Sequence, residues 1–412
     1  MISYYFPPLG KGGTFRSLKF AKYLPTFGWK PLVLTVSEKF NWQKDYSLLD
    51  QLPEDVKIYR TKAPHPRKFF KILSKVKLGR IGSMIARTFF FPDPEILWFP
   101  FAIGQAGKIF RKNSYSIVYS SSGPVTSHLI AYYLKRKFGI KWIADLRDAM
   151  FEDDKFWYRK HYTIFHKYLA HKVEKWVYKE ADHVIANTEL NYKRIQDRWH
   201  LPKEKISYIP NGFDEEDYRK NKSVIRKNGK FQISYIGDFY GGDFSPYIIL
   251  EALQQIKEKN YKIYKNIEFN IIGSSNHSSL VEKMQLDDVV RDRGYVNYNE
   301  SIDWIRNSNL LIAFLPDRNM DYCVPQKIYQ YLRSGNPILG IMNEGCASEI
   351  LRKSGLGIIV KHRADEIAEM ITKIYSDNLK NKIKPNWSYI NQYERRHQTE
   401  KLVNVLNNLV KK

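Results

Sequence analysis

The sequence is poor in the features that mark secreted, zinc-binding or membrane-spanning proteins. It has two cysteines, Cys323 and Cys346, which cannot build a disulfide framework and show no zinc-site spacing. Its apolar runs are short: residues 310–315 are typical, whereas a spanning helix needs roughly 20 apolar residues. The amino terminus lacks the basic region and apolar stretch of a secretory signal. We therefore expect a cytoplasmic chain with reduced cysteines.

Acidic residues are scarce relative to basic ones. The chain of 412 residues has 67 lysines and arginines against 43 aspartates and glutamates, a net charge of +24. A field of this sign favours phosphorylated ligands, anionic membranes or nucleic acids, and does not choose among them. No nucleic-acid-binding motif is present, so we do not expect a nucleic acid partner.

Short apolar runs alternate with amphipathic helical stretches along most of the chain. The predicted strands are residues 31–36, 56–59, 116–120, 141–144, 183–186 and 206–209, then 231–236, 268–272, 310–315, 337–341 and 357–360. This alternation is typical of βαβ units and parallel sheets. It pauses at residues 214–230, which are nearly all charged or polar. The pattern predicts two doubly wound α/β domains joined by that linker.

Two segments of the first half place polar or flexible residues directly after strands, where doubly wound sheets bind ligands. Gly12 and Gly13 precede a helix, so a ligand can approach the backbone near the positive end of the helix dipole; a tight structural turn explains them equally well. Asp145, Arg147 and Asp148 follow the strand at 141–144. These ionisable groups indicate either a polar ligand site or a structural cluster of ion pairs.

A third segment lies in the second half of the chain. Pro325 is suited to the start of a helix, and Lys327 then lies in the first turn, where it can hold a phosphate group. Gln330 comes three residues later, on the same helical face. A solvated surface lysine is the alternative interpretation.

Several motifs occur in a fixed order. They are YFPP at 5–8, GG at 12–13 with Arg16, PD at 92–93, SGP at 122–124, ADLRD at 144–148, IPNGFD at 209–214, YIG at 235–237 and PQKIYQYL at 325–332. This ordered set resembles the retaining bacterial glycosyltransferases of family 4, and it extends over nearly the whole chain.

The resemblance implies a GT-B architecture of two Rossmann-like domains facing a cleft. The acceptor-side domain would be residues 1–213, the nucleotide-sugar-binding domain residues 231–385, and residues 386–412 would hold a helix crossing back to the first domain. The implied activity is a hexosyltransferase that moves a sugar from a nucleoside diphosphate donor, by default a UDP-sugar, to a glycan or lipid-linked acceptor with retention. Surface polysaccharide biosynthesis is the implied setting.

The resemblance also assigns roles to residues. Lys327 would neutralise the diphosphate, Asp145 would orient the acceptor hydroxyl or the sugar, and Arg147 and Asp148 would complete the site. The implied donor contacts are Gly12, Gly13, Gly237, Arg318, Pro325 and Gln330, with Tyr295 and Val296 reading the base. No D-x-D carboxylate pair is present, so we expect no metal and no cofactor, the nucleotide-sugar being a substrate.

The sequence departs from the family pattern in two places. Gln330 stands where the family usually has a glutamate, and residues 237–246 contain no basic residue for the pyrophosphate. A degenerate GT-B protein that binds nucleotide without catalysis is therefore an alternative. A nucleotide-sugar epimerase of the same fold is another, which the basic segment described next and the D-L-R-D motif disfavour.

One segment is strongly basic. Residues 57–87 contain ten lysines and arginines and no acidic residue, interleaved with aromatic and aliphatic side chains. Such a pattern favours an interfacial helix on an anionic leaflet, with Lys68, Phe69, Phe70 and Lys71 at its centre. We therefore expect peripheral association with the inner membrane leaflet; a solvated helix packed on its own domain is the alternative.

Overall fold

The structure is a computed structural model. It describes residues 1–10, 12–39, 43–64, 88–147, 150, 163–220, 229–239, 242, 244–378 and 383–411. The chain divides into two compact units, Met1–Pro210 with Thr399–Lys412, and Asn211–Gln398. Among the described residues, we find no helix with both the length and the apolar character needed to cross a bilayer.

The first unit is built on a parallel sheet. Its strands are β1 (Leu32–Val36), β2 (Lys57–Thr61), β3 (Ile117–Ser121), β4 (Lys141–Leu146), β5 (His183–Ala186) and β6 (Ile206–Tyr208). Ile2 forms parallel bridges to Leu34 in β1 and to Ser120 in β3, so it joins the β2–β1 pair to the β3–β4–β5–β6 sheet. These strands lie where the sequence predicted them.

Helices pack around this sheet. They are α1 (Thr14–Tyr23), α2 (Phe99–Phe110), α3 (Thr126–Phe138), α4 (Ile164–Glu180) and α5 (Glu189–Trp199), with 3-10 turns at Leu24–Phe27, Tyr46–Gln51, Pro94–Trp98 and Lys203–Lys205. Trp98 and Trp142 are wholly buried in the core. The carboxyl-terminal residues belong to the same unit, because Leu402 and Leu406 pack with Phe20.

The second unit contains a six-stranded parallel sheet in the order β12-β11-β10-β7-β8-β9. The strands are β7 (Phe231–Ile236), β8 (Ile267–Ile272), β9 (Val290–Gly294), β10 (Leu310–Phe314), β11 (Ile338–Ile341) and β12 (Gly357–Val360). The strand order reverses between β7 and β10. In open α/β sheets, a ligand crevice lies at the carboxyl ends of the strands at such a switch point.

The helices that follow in the chain are α6 (Glu215–Lys220), α7 (Tyr247–Lys259), α8 (Tyr261–Asn266), α9 (Ser278–Lys283), α10 (Tyr298–Asn307), α11 (Gln326–Ser334), α12 (Cys346–Lys353), α13 (Ala364–Ser376), α14 (Trp387–Asn391) and α15 (Arg395–Val410). Apolar side chains of α7, α8, α9 and α13 pack with the strands of the second unit into one core that includes Leu253, Ile312 and Ile371. The apolar side chains of α15 pack on the first unit instead.

Part of the predicted linker is folded. The sequence analysis found no apolar face in residues 214–230, yet Glu215–Lys220 form α6 and Tyr218 is 6% exposed. Its hydroxyl donates a hydrogen bond to the backbone oxygen of Gln330. A bidentate ion pair between Glu215 and Arg333 of α11 adds to the contact. The buried Tyr218 and the ion pair of Glu215 therefore hold α6 against α11 in the second unit.

Candidate functional site

The carboxyl edge of the second sheet brings together loops that follow four neighbouring strands. Gly237 follows β7, Gly273 follows β8, Tyr295 follows β9 and Arg318 follows β10. Backbone hydrogen bonds hold this edge together: the amide of Gly237 donates to Ile272 at 2.7 Å, and the amide of Gly273 donates to Gly294 at 3.0 Å. The first turn of α11 also belongs to this unit. The switch point of the sheet thus has a defined rim.

Lys327 is a partly buried cation in the first turn of α11. Its Nζ lies 3.7 Å from the ring centroid of Tyr235 and donates no hydrogen bond to any residue in the described part of the chain. Burial lowers the pKa of Lys327 to about 7, and the nearby Asp238 carboxylate opposes that shift. An ammonium group that lacks hydrogen-bond acceptors at a helix N-terminus is suited to an incoming phosphate oxygen.

Gly237 is adjacent to this lysine, and its role in donor binding remains a prediction. Its φ is +130°, and a Cβ at this position would lie 2.6 Å from the Nζ of Lys327. Gly273 is equally tight, because its Cβ would lie 2.4 Å from the backbone oxygen of Gly237. Both glycines therefore keep the floor of the site free of side chains.

Gly237→Ala should displace Lys327 and weaken nucleotide binding by about tenfold or more, which corresponds to roughly 1.4 kcal/mol. The backbone strain at this φ should also lower the free energy of unfolding by about 1–3 kcal/mol. Isothermal titration with UDP and chemical denaturation measure the two effects. Gly242→Ala is the matched control, because its φ is +55° but its Cβ would meet nothing within 4 Å. Equal loss of UDP affinity in both variants would contradict the assigned contact.

Asp238 joins two loops of the rim, although the sequence analysis treated it only as a departure from the family pattern. Its Oδ1 accepts hydrogen bonds from the amide and the hydroxyl of Ser274, the latter at 2.7 Å. The loop after β7 is therefore tied to the loop after β8. Gly273 and Ser274 were missed by sequence reasoning, although their place directly after a predicted strand was a usable signal.

Gln330 does not point where the sequence analysis predicted. Its side chain is 7% exposed and its amide nitrogen donates to the hydroxyl of Tyr298 at 3.1 Å. That hydroxyl donates in turn to Asp217 at 2.7 Å. The side chain is thus engaged in a buried network that connects α6, α10 and α11. This geometry does not fit direct recognition of a sugar by Gln330.

The remaining predicted donor residues of the second unit lie in the loops after β9 and β10 and at the start of α11. Arg318 is partly buried, with its guanidinium 5.1 Å from the ring centroid of Phe244. Tyr295 is 39% exposed and Val296 is partly buried, both directly after β9. Pro325 is the N-cap residue of α11. These positions are compatible with a ligand on the rim, and their donor roles remain predictions.

Asp145 is fully enclosed by its neighbours. Its carboxylate is 0% exposed and accepts two hydrogen bonds of 2.7 Å from Arg16, which is 1% exposed. The hydroxyls of Tyr119 and Ser121 also donate to it. The geometry corrects the prediction that Asp145 meets the acceptor or the sugar, because its oxygens are already bound. The carboxylate holds the guanidinium of Arg16 in place.

Arg16 also binds backbone groups outside the strand that holds Asp145. It donates to the backbone oxygens of Ile209 and Pro210, each at 2.9 Å. Burial lowers the pKa of Arg16, but the attraction and hydrogen bonds of Asp145 more than offset this, so the pKa stands above its ordinary value. The ion pair therefore ties α1 and β4 to the backbone that follows β6.

Arg147 lies over Gly13 and Gly123. Its guanidinium donates to the backbone oxygen of Gly13 at 2.7 Å and to that of Gly123 at 3.3 Å. A Cβ on Gly13 would lie 2.0 Å from this guanidinium, and one on Gly123 would lie 2.4 Å from it. By contrast, a Cβ on Gly12 would meet nothing within 4 Å. The contact with Arg147 is therefore enough to require glycine at position 13, without any ligand.

The structure makes a direct prediction for this pair. Gly13→Ala should lower the free energy of unfolding by about 1–3 kcal/mol, as overpacking does. Gly13 has a φ of −65°, so the backbone accepts alanine once the guanidinium is removed. In a double-mutant cycle, Gly13→Ala should cost almost nothing on an Arg147→Ala background. Gly12→Ala serves as the control and should change stability by less than about 0.5 kcal/mol. Additive losses in the cycle would mean that Gly13 is needed for another reason.

Asp93 is a partly buried carboxylate that the sequence analysis noted only within a motif. It accepts hydrogen bonds from the amide and the hydroxyl of Thr126, at 3.0 and 2.6 Å. Burial raises the pKa of Asp93 to about 6, although these hydrogen bonds oppose the shift. Because Asp93 already occupies the N-terminus of α3, that helix end does not offer a site to a second anion.

Some predicted residues lie outside the described residues. Asp148 is one of them, and Lys68, Phe69, Phe70 and Lys71 are the others. Their assigned roles remain predictions from the sequence.

Two family models match the chain, one on each half. The model for Glycosyltransferase Family 4 matches residues 19–217, and the model for Glycosyl transferases group 1 matches residues 230–377. The chain is a family 4-like glycosyltransferase. Among curated proteins, none matches the sequence.

Solved structures of similar fold cover the chain almost completely. A glycosyltransferase from Rickettsia africae ESF-5 is 16% identical with a TM-score of 0.64, covering 100% of this chain and 98% of its own. Sucrose-phosphate synthase from Thermosynechococcus elongatus is 14% identical with a TM-score of 0.67, covering 99% and 98%. HepE from Anabaena, in complex with UDP-glucose, is 12% identical with a TM-score of 0.64, covering 99% of each chain. These similarities confirm the predicted α/β fold of two Rossmann-like domains.

Proposed function

We propose that this protein is a retaining, metal-independent hexosyltransferase that takes its sugar from a UDP-sugar. The acceptor would be a glycan or a lipid-linked sugar, and the setting would be surface polysaccharide biosynthesis. The observation that carries the proposal is Lys327, a partly buried ammonium without a described hydrogen-bond acceptor, 3.7 Å from the Tyr235 ring centroid at the switch point of the second sheet.

Glycosyl transfer needs stabilisation of the leaving diphosphate as the anomeric bond breaks. Preorganised cations and N–H dipoles supply it best in a site from which water is excluded. Lys327 provides the charge, and the first turn of α11 provides amide groups that have no intrahelical partner. The helix start is held in place because Gln326 donates to Gly212 at 2.7 Å and accepts from Arg395 at 2.7 Å.

UDP is the donor nucleotide that similar proteins support. HepE from Anabaena is described in complex with UDP and with UDP-glucose, and MnaA from S. aureus is described in complex with UDP. We place the base near Tyr295 and Val296 and the pyrophosphate near Lys327, Gly237 and Arg318. In the first unit we assign Arg147, together with Asp148, to the acceptor or the transferred sugar.

The proposed lipid-linked acceptor also bears on where in the cell the protein works. We propose that the chain works in the cytoplasm, docked peripherally on the inner leaflet through Lys68, Phe69, Phe70 and Lys71. The charge of +24 supports an anionic surface as partner.

A nucleotide-binding protein without transfer activity is the second candidate. The amide of Gln330 is occupied by Tyr298, and the loop after β7 presents Asp238 where a cation would help a pyrophosphate. Such a protein would bind UDP through Lys327 but would not turn over its sugar.

The first experiment measures nucleotide binding. Thermal-shift and calorimetric titrations with UDP, GDP, CMP and ADP should give selective stabilisation by UDP, reduced in Lys327→Ala. No response to any nucleotide would remove the proposed donor site.

The second experiment measures transfer. Release of UDP from a panel of UDP-sugars, with membrane extract as acceptor source, should continue in excess chelator. Loss of turnover in chelator would contradict metal independence. Binding of UDP without turnover of any UDP-sugar would favour the non-catalytic candidate.

A further inference from the structure

Large apolar side chains are exposed together around the start of α4. Ile164 is 89% exposed, Phe165 57% and Tyr168 56%, and Phe89 in a separate segment is 74% exposed. The Oγ1 of Thr88 lies 3.1 Å from the Nε2 of His166, so the segment with Phe89 lies against the first turn of α4. We call Phe89, Ile164, Phe165 and Tyr168 the apolar face.

Three residues of the apolar face, Ile164, Phe165 and Tyr168, belong to a well-formed helix. His166 is 2% exposed, and its amide donates to the hydroxyl of Thr163, which caps α4. The Nδ1 of His166 lies 2.8 Å from the same hydroxyl. These contacts fix the first turn of a helix of 17 residues. The exposed side chains are therefore displayed by ordered backbone.

The exposed ionisable side chains of α4 are all basic. They are Lys167, His171, Lys172, Lys175 and Lys179. Of the two acids of this helix, Glu174 is 1% exposed and lies 3.7 Å from Arg198, and Glu180 is the partly buried last residue. Positions 164, 168, 172, 175 and 179 are spaced by three or four residues, so apolar and basic side chains follow one face of the helix. The face offers no exposed acid between residues 164 and 179.

We propose that the apolar face docks on the surface of an anionic lipid bilayer. Aromatic and aliphatic side chains followed by a row of lysines suit the boundary between headgroups and acyl chains, with the lysines on anionic lipids. A protein partner fits less well, because protein–protein interfaces are depleted in lysine at their centre. The inference rests on the membrane docking in the proposed function and deepens it, because it names a docking surface other than Lys68–Lys71. It is independent of the donor site, which lipid binding does not need.

Vesicle sedimentation tests the proposal. The full chain should bind vesicles of phosphatidylglycerol and phosphatidylcholine at low salt, bind pure phosphatidylcholine vesicles far less, and lose most binding in 0.5 M salt, because surface charge attraction is screened (Debye length of about 3 Å at 1 M). Ile164→Glu with Phe165→Glu should weaken binding by about tenfold or more, that is by roughly 1.4 kcal/mol. Tyr247→Glu with Tyr261→Glu is the matched control, because these tyrosines of the second unit are 52% and 56% exposed.

Three outcomes would overturn the inference. They are no binding of the wild type to anionic vesicles, equal binding by the Ile164/Phe165 variant, or binding lost in Phe69→Glu with Phe70→Glu and unchanged in the α4 variant. A fourth outcome, tested by size-exclusion chromatography, would also overturn it. If the wild type does not bind vesicles but forms a dimer, and the α4 variant is a monomer, this face is an interface between copies of the chain. The thermal shift with UDP is measured on every variant, so loss of lipid binding is distinguishable from loss of the donor site.

Discussion

Replacing Asp145 with asparagine should lower the free energy of unfolding by about 3–5 kcal/mol, the usual loss when one partner of a buried ion pair is removed. The cause is Arg16, which is 1% exposed and would keep its charge without a carboxylate. Its remaining bonds to Ile209 and Pro210 reach neutral oxygens. Denaturant titration followed by tryptophan fluorescence measures the change.

Two further variants make this result specific. Asp145→Asn combined with Arg16→Met removes both charges and should recover much of the loss, because an apolar replacement for a buried ion pair is often neutral. Glu189→Gln is the control in the same unit: its ion pair with Lys193 is at the surface, with side chains 59% and 61% exposed, and should contribute less than about 1 kcal/mol. Stability unchanged in Asp145→Asn together with lost transfer would instead restore the catalytic role that the sequence suggested.

Replacing Lys327 with methionine should weaken UDP binding by about 10- to 100-fold, in line with the roughly 1.5–3 kcal/mol of a charged hydrogen bond. Burial lowers the pKa of Lys327 to about 7 in the free protein. A bound diphosphate favours the charged form, so above pH 7 the wild type must take up a proton when UDP binds. Its affinity should therefore fall as pH rises from 7 to 9, by up to about tenfold per pH unit.

The pH dependence separates Lys327 from other cations. A phosphate monoester has its second pKa near about 6, so the charge of UDP should be nearly constant between pH 7 and 9. Calorimetry in two buffers of different ionisation enthalpy should detect proton uptake at pH 8 in the wild type and none in Lys327→Met. Lys361→Met is the control, because Lys361 directly follows β12 and is exposed. A wild-type affinity that does not change from pH 7 to 9 would contradict the assignment.

The lowered pKa of Lys327 also makes the free energy of unfolding depend on pH. The unfolded chain holds a proton on Lys327 up to its ordinary pKa of 10.5, whereas the folded chain releases it near 7. Between these values the unfolded state binds more protons, so this group makes the unliganded protein more stable as pH rises. Lys327→Met should lack that contribution, and at pH 6 it should melt at a higher temperature than the wild type while binding UDP less well.

The strands and the division into two sheets could be predicted because parallel strands are buried on both faces and read as apolar runs. Strand β9 was missed for a physical reason. Its residues Val290–Gly294 are mostly charged, and it lies at the edge of the sheet, where Arg293 pairs with Glu268 of β8 at 2.9 Å. A strand stabilised by an ion pair with its neighbour has no apolar pattern to detect.

The sequence indicated which segments contribute to the candidate site, but it did not indicate where their side chains point. A strand end located Asp145, a helix start located Lys327, and the family resemblance named Gly237. Helical spacing put Gln330 on the face of Lys327, but the hydroxyl of Tyr298, 32 residues earlier, determines where its amide points. The carboxylate of Asp145 is likewise bound by Arg16, which is 129 residues away in the sequence. Such distant partners are not visible in local spacing.

The arrangement of Arg147 over two glycines has a consequence for how this sequence can diverge. As long as the guanidinium stays, side chains are excluded at positions 13 and 123 by contacts of 2.0 and 2.4 Å. Once Arg147 is lost, position 13, whose φ is −65°, becomes open to alanine, whereas position 123, whose φ is +73°, still favours glycine. Related chains should therefore show covariation between positions 13 and 147 and a glycine at 123 that persists in both groups.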